Sequence, residues 1–536
     1  MHRLSLCLLT ALILAPVFAV GQDSRPYAPF NLPVVQGTPG ITVIDARDYG
    51  AACDGTTNDT AAIRAGLTAA TAKSPVGGVL SLPPGTCVLS DAIAATLSSK
   101  FTLIGAGRGA TILQWTNPNG GMVLTYTGQY NAPRIQGVSF HTARAGGGTA
   151  LTLTLRPAAR TANALGPIVD DVEFRGHDTK SDYWTDGIHL VDVWYGALSN
   201  FTVKGKDETV LPFSMASGVK YTRAQGLFLR AFTMQHVTDA VLQTGTTFGE
   251  GLNASEFELV GVKNGFNLSS WTSGALAIQG IQNGHINAYA RGITTKYIVQ
   301  GNFSSLLIYK TGLSTSNFIG IEWLIGASNN RAIGNHIEDN PSATGAWTGI
   351  LVGSNAAFNT VVGNACDYAV MANVACIALG TNATNNVIIG NVAGSTGAAI
   401  DTVYLNDDAG SNVAVGNHSA SGEAVASNSK APQTLLSNSP LPDQVLAIDS
   451  PTPSVRSPQH ELWQTGNHSA TTITELAGGT IGQRVTILLD ANTGFTHNAA
   501  TFVLAGGADI AVGAGKGFTI SFVRYRGKWV EQSRSF

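Results

Sequence analysis

The sequence predicts an all-β chain whose body is a parallel β-helix, opened by a capping helix and followed by a small β module. Three observations carry this. The hexads NRAIGN, NTVVGN, NVIIGN and NVAVGN at 330–335, 359–364, 386–391 and 412–417 repeat Asn, four residues, Asn, with Gly before the second Asn, at steps of 29, 27 and 26 residues. That period suits one coil of a β-helix, with Val and Ile in the core, Gly at a corner needing unusual backbone, and Asn stacked between coils. The triplets Val138-Ser139-Phe140, Val172-Glu173-Phe174, Phe201-Thr202-Val203, Phe232-Thr233-Met234 and Phe257-Glu258-Leu259 alternate in-out-in at steps of 34, 29, 31 and 25, as half-buried strands do. Charged residues are 12% and Gly numbers 62 in 536 residues, too few charges for a coiled coil, while 44% apolar residues oppose a disordered chain.

The elements follow in chain order. His2 and Arg3 precede an apolar run from Leu4 to Val20, and Ala19 and Gly21 are the small residues of a cleavage site before Gln22, so residues 1–21 read as a secretory signal peptide. Pro16 and the shortness of the run oppose a membrane anchor, and no later stretch suits a membrane span. The expected location is secreted: extracellular, periplasmic or on the cell surface. Cys7 leaves with the signal. Cys53, Cys87, Cys366 and Cys376 remain, an even number that suggests two disulfides, with three pairings open. No Cys/His spacing reads as zinc. The net charge of −3 offers no footprint for nucleic acid.

Residues 22–430 are assigned to the β-helix, with an N-terminal cap over about 41–100 and room for some eleven or twelve coils after it. Residues 58–72 predict the cap helix, N-capped by Asp59 or Thr60, with Ile63, Leu67 and Ala70 as its apolar stripe. Residues 431–458, with six prolines from Pro432 to Pro458, read as an extended linker or a strapped-down arm. Residues 459–536 read as the β module. RVTILLD, ATFVLAG, FTISFVRY and KWVEQ are its strands, and Arg526-Gly527 is a hairpin turn. Val485, Ile487 and Leu489 form one apolar stripe, and Phe518, Ile520 and Phe522 a second.

VIDARDYGAACDGTTNDTAAI at 43–63, GGVLSLPPGTCVLS at 77–90 and FTLIGAGRGATIL at 101–113 resemble the N-terminal segment of the pectate-lyase-like superfamily. The resemblance implies a right-handed, single-stranded parallel β-helix and a polysaccharide as partner. The superfamily includes polygalacturonase-type hydrolases, polysaccharide lyases and phage tailspikes. In that setting Cys53 and Cys87 lie in turns flanking the cap, which favours their pairing and leaves Cys366 with Cys376. The C-terminal module looks like small domains that follow tailspike β-helices, which makes a homotrimer an alternative to a monomer.

Glycan hydrolysis needs two carboxyl groups. β-Elimination needs a base and a cation, Ca²⁺ or Arg, to offset a uronate. The stretch IVDDVEFRGHDTKSDYWTDGIHL at 168–190 is the richest in carboxylates. It makes Glu173, Asp178, Asp182 and Asp186 candidate catalytic groups and Tyr183 and Trp184 candidate sugar platforms. Thr185-Asp186-Gly187-Ile188 partly resembles the Asn-Thr-Asp-Gly motif of polygalacturonases. Trp184 stands in place of its Asn, and the Asp-Asp, Gly-His-Gly and Arg-Ile-Lys motifs are missing, so a polygalacturonase is excluded. Triplet alignment places His141, Arg175 and Lys204 in an outward basic row that could hold an anionic sugar. Glu322, His336, Glu338 and Asp339 are secondary candidates, and Trp271, Trp323 and Trp347 further sugar platforms. Ca²⁺ is the cofactor expected only of a lyase, and no metal ligand set is assigned. The function expected is secreted polysaccharide binding and cleavage along the outer wall. The competing class is a non-catalytic adhesin.

Overall fold

The computed structural model describes residues 42–72, 77–128, 131–155, 166–207, 213–245, 250–272, 276–277, 280–368, 375–395, 401–405, 409–420, 425–427, 434–436, 444–455, 462–479 and 481–535. Residues 1–21, read from sequence as a signal peptide, Glu208, and Pro432, Pro440, Pro442 and Pro458 of the Pro-rich stretch lie outside the described residues.

Period-two alternation folds here into a right-handed parallel β-helix of about fourteen turns. Three stacks of strands make its walls. The first runs from Thr42–Asp45 through Gly78–Ser81 and Phe101–Ile104 to Val413–Val415 and Thr434–Leu436. A corner joins it to the second, which begins at Asp54–Asn58 and Gly85–Leu89. The third begins at Ile93–Leu97 and Met122–Tyr126 and continues through Thr149–Leu155, Asp186–Val191, Met215–Tyr221 and Val237–Gln243.

Every coil lies in register on the next, so like positions form columns. Val138, Val172, Phe201, Phe232 and Phe257 are one buried column. Phe201, Phe232 and Phe257 stack with ring centroids 5.1 and 5.2 Å apart, a geometry worth about 1 kcal/mol per pair beyond burial. Phe140, Phe174, Val203, Met234 and Leu259 form a second. Immediately before the first column the chain turns from the first stack to the second through a residue at positive φ: Asp171, Asn200, Ala231, Glu256, Asn283 and Ser305 in the central coils, then Gly334, Gly363, Gly390 and Gly416. Those four glycines are the ones in the hexads, at φ between 60° and 62°.

The hexad asparagines form two buried ladders, Asn330–Asn359–Asn386–Asn412 and Asn335–Asn364–Asn391–Asn417. Each side-chain Nδ2 donates to the Oδ1 one coil on, at 2.8–3.1 Å, and that oxygen also accepts a backbone N–H from the coil before it.

The cap helix, α1, spans Thr60–Thr71 and buries Ile63, Leu67 and Ala70. Its N-cap differs from expectation. The Asp59 carboxylate turns away and accepts the N–H groups of Ala52 and Cys53 at 2.7 and 3.1 Å. Asn58 Oδ1 instead accepts the N–H and hydroxyl of Thr60. Cys53–Cys87 and Cys366–Cys376 are both formed. No helix among the described residues is long and apolar enough to cross a membrane.

The C-terminal module has its own core, which includes Val485, Ile487, Leu489, Ile520, Phe522 and Trp529. Thr519–Tyr525 and Lys528–Arg534 form the expected hairpin, with Arg526 and Gly527 both at positive φ, the backbone of a type I′ turn. One detail corrects the sequence reading, and a second favours a strapped-down arm over a free linker. Phe518 precedes the strand and is exposed, so its stripe holds only Ile520 and Phe522. Gln444–Val445 pairs with Leu462–Gln464, and Leu446 and Val455 are core residues of the module, so this part of the Pro-rich stretch is built into the domain.

Replacing Asn364 with Ala strips the amide that receives two donors from Asn335 and donates to Asn391 and the Ala332 carbonyl. A loss of about 3 kcal/mol is expected from the stranded buried partners. Urea unfolding measures it, and a loss under about 1 kcal/mol would show the ladder to be energetically idle.

Candidate active site

The third stack builds a polar outer face through a local break in alternation. In Asp186–Val191 the residues Gly187 and Ile188 both point inward. A Cβ on Gly187 would meet Val203 and Met215 side chains and the Gly218 carbonyl, and Ile188 is wholly buried. The same small residue recurs at Gly218, Ala240, Gly265, Gly292 and Gly320. Two outward columns therefore flank each corner. One reads Thr149, Asp186, Ser217, Asp239, Asn264, Arg291. The other reads Thr152, His189, Lys220, Leu242, Asn267, Thr294, Glu322.

Each acid on this face is held by residues from both columns. Asp186 Oδ1 accepts the Ser217 hydroxyl at 2.5 Å, and Oδ2 accepts Lys220 Nζ at 3.1 Å and Thr149 Oγ1 at 3.4 Å. Two rungs on, Asp239 Oδ1 accepts Asn264 Nδ2 at 2.9 Å and Asn267 Nδ2 at 3.2 Å. Among the described residues no group hydrogen-bonds its Oδ2. Glu322 Oε2 accepts Thr294 Oγ1 at 2.9 Å and Arg291 Nε at 3.2 Å. Burial pushes the Asp239 carboxyl up, outweighing the two amide donors and the charge of Lys263 that favour the anion. His189 is shifted down by burial and by the Lys220 charge, which favours the neutral ring. Its Nε2 lies 2.9 Å from Thr222 Oγ1.

The sequence candidates divide sharply. Asp186 and Glu322 belong to this face. Asp178 and Asp182 cap their own loop: Asp178 Oδ1 accepts the Lys180 N–H, Asp182 Oδ2 accepts the Asp178 N–H, and Ser181 Oγ donates to both. Backbone and hydroxyl donors hold the exposed Asp178 carboxyl below its ordinary range. Tyr183 is half-buried and lies beside them, its N–H on the Arg144 carbonyl.

Trp184 is no sugar platform. It is fully buried, donates Nε1–H to the Phe140 carbonyl and sits edge-on to Trp115. Trp271, Trp323 and Trp347 are buried as well. The basic row is stacked, His141 beside Arg175, yet its charges are spent. His141 is 1% exposed, with Nε2 3.0 Å from Glu173 Oε2, and burial shifts its ring down despite that carboxylate. Arg175 lies 3.2 Å from Glu173 and Lys204 2.7 Å from Asp207. Burial would raise the Glu173 carboxyl, but the His141 hydrogen bond and Arg175 charge win and hold it at about 2, far from the range of an acid catalyst near neutrality.

His336 and Glu338 lie on the second stack, where His336 Nε2 is 3.2 Å from Asp367. Asp339 is buried there with its carboxyl raised by desolvation. The residues missed were Ser217, Lys220, Asp239, Asn264, Asn267, Arg291 and Thr294. Their signal was a small residue followed by an apolar one, as in DGIHL, SGVKY, DAVLQ, NGFNL, RGITT and IGIEW.

Asp239→Asn keeps an acceptor for both amides and removes the titration. Because the folded carboxyl sits above its ordinary 3.8, the folded state binds the proton more tightly than the unfolded chain. Stability contributed by this group is therefore lost as pH rises from the unfolded value through the folded one. The melting temperature of Asp239→Asn relative to the parent is expected to climb over that window. A difference independent of pH, by calorimetry, would contradict the assignment.

Residues 43–293 match the model of a family described as rhamnogalacturonase A/epimerase, pectate lyase-like. A search of curated proteins returned no match. Among solved structures the chain is similar to the A-module of a mannuronan C-5 epimerase from Azotobacter vinelandii, at 16% identity over 75% of this chain and 100% of that one, TM-score 0.35. It is similar to the tailspike of Pseudomonas phage phi297, at 10% identity over 70% and 79%, TM-score 0.43. It is also similar to PfbA, a surface adhesin of Streptococcus pneumoniae, at 12% identity over 92% and 99%, TM-score 0.33. Over residues 43–293, just under half of the chain, the sequence is thus similar to a pectate-lyase-like family, and the solenoid those residues open is a right-handed parallel β-helix.

Proposed function

We propose that the chain is a secreted polysaccharide hydrolase whose catalytic groups are Asp239 and Asp186. One observation carries the reading: two carboxyl groups share an outward column, two rungs apart, in environments that treat their protons differently. Asp186 has a cation against it in Lys220. Asp239 is held by neutral amides in a site that disfavours its charge. Two rungs span about 9.6 Å, near the upper end of the spacing of inverting glycosidases.

Asp239 then donates its proton to the glycosidic oxygen as the bond to the anomeric carbon breaks. Asp186 takes a proton from the water that attacks that carbon from the opposite side. Water is consumed, one new reducing end forms, and the anomeric configuration inverts. Ser217 lies between the two acids, small and bonded to Asp186, and leaves the sugar ring room above it. Hydrolysis is favoured over β-elimination because Lys220 and Arg291 are each paired with a carboxylate, Asp186 and Glu322. Neither is left to neutralise a uronate.

On a panel of polysaccharides, the protein is expected to release reducing ends from one. Asp186→Asn and Asp239→Asn should each lower that turnover at least about a hundredfold with unchanged circular dichroism. Asp178→Asn and Asp182→Asn should stay within about twofold, since their contacts are confined to their own turn. Product absorbance of unsaturated uronates, or normal turnover in both former variants, would overturn the reading.

A further inference from the structure

We propose that Asn264 and Asn267 are positioning residues that fix the acidic proton of Asp239 on Oδ2; the inference rests on the reading of Asp239 as the general acid. Both amides donate to the same oxygen, Oδ1, at 2.9 and 3.2 Å. A carboxyl oxygen has two lone pairs in its plane, and two N–H groups occupy both. A proton placed on Oδ1 would face a donor hydrogen, so the neutral acid carries it on Oδ2.

The two asparagines reach Asp239 from the next coil. Asn264 is its register partner, and Asn267 is the partner of Leu242 in the adjoining column. The Asn267 amide is oriented in turn, because Ser269 Oγ–H donates to its Oδ1 at 2.6 Å. With the carbonyl side so engaged, Nδ2 is the group turned to Asp239. The contrast with Asp186 is instructive. There the bracketing residues are a hydroxyl and an ammonium, one on each oxygen, and the ammonium brings a full charge. At Asp239 the same two positions supply geometry without charge. An acid that must be both neutral and aimed needs that combination.

The groups acting on Asp239 are few. Lys263 contributes its charge, and the two amides favour the anion against desolvation. On one side Lys220 lies on the same strand as Ser217, one rung from Asp239, paired to Asp186 a rung further on; on the other Arg291, paired to Glu322, lies beyond Asn264. Removing the amide donors leaves desolvation less opposed, so the carboxyl should titrate at higher pH.

The test uses the full chain with Asn264→Ala, Asn267→Ala and the double variant, plus Asn264→Ser and Asn267→Ser should an alanine fail to fold. The Asp239 carboxyl is followed by carbon NMR of aspartate-labelled protein, its signal assigned by its loss in Asp239→Asn. The expected result is titration at higher pH in the double variant, a basic limb of kcat moved the same way, and kcat down about tenfold at little change in KM. An unmoved titration and an unmoved limb would overturn the positioning role while Asp239→Asn remains inactive. An active Asp239→Asn would instead sink the general-acid reading itself.

Discussion

Everything in this molecule depends on one constraint, the in-register stacking of parallel coils about 4.8 Å apart. A residue never acts alone in such an arrangement. It meets the residue at the same position one coil before and one coil after, and its column must suit all of them. Phenylalanines stack on phenylalanines in the core, asparagines on asparagines at the corners, and acids meet their donors across rungs on the outer wall. The polar face is the same device turned outward. The coil that carries an acid does not position it; a neighbouring coil does, the next one through Ser217 and Lys220 or Asn264 and Asn267, and the preceding one through Arg291 and Thr294 at Glu322.

The two halves of the solenoid meet the corner requirement differently. In the four coils of Gly334, Gly363, Gly390 and Gly416 the corner residue is glycine, and the buried asparagine ladders flank it. In the coils around the polar face, Asp171, Asn200, Ala231, Glu256 and Asn283 hold the left-handed conformation instead. A residue such as Ala231 or Glu256 has a Cβ that resists it, at a cost of order 1 kcal/mol each. The stacked aromatic column beside them offsets part of that. At this one corner the later coils use glycine flanked by hydrogen-bonded asparagines, while the central coils carry a Cβ at positive φ beside a stacked aromatic column.

The fold was legible because its signals are periodic and local. The Asn hexads, the apolar triplets and the cap stripe of Ile63, Leu67 and Ala70 all landed where alternation put them. The site was only half legible, and the reason is geometric. Counting by two fails at a corner where Gly187 and Ile188 face inward together, so the outward partners of Asp186 fall out of phase. The column members also differ in type, and the steps between them vary from Asp186 to Ser217, Asp239, Asn264 and Arg291. Acids are densest around Asp178 and Asp182, which cap a turn, whereas Asp239 stands in a weakly acidic stretch with no motif around it. Trp184 and His141 looked exposed only because neighbouring polar residues did. Burial of a single aromatic beside a loop is set by packing against Phe140 and Trp115, which sequence order does not reveal.

The two-rung separation of Asp186 and Asp239 has a consequence for how such a site can change. Groups in one column can be moved apart or together only by whole coils, so their spacing is quantised. One rung is about 4.8 Å and two about 9.6 Å, lying close to the spacings of retaining and inverting glycosidases respectively. Intermediate distances are not available to a site of this kind. On the proposed reading, loss of the single coil that carries Ser217 would take the pair from the inverting to the retaining spacing in one step, without a change to either acid. On this scaffold reaction outcome is counted in coils, and an evolutionary change of mechanism would take the form of a duplication or deletion.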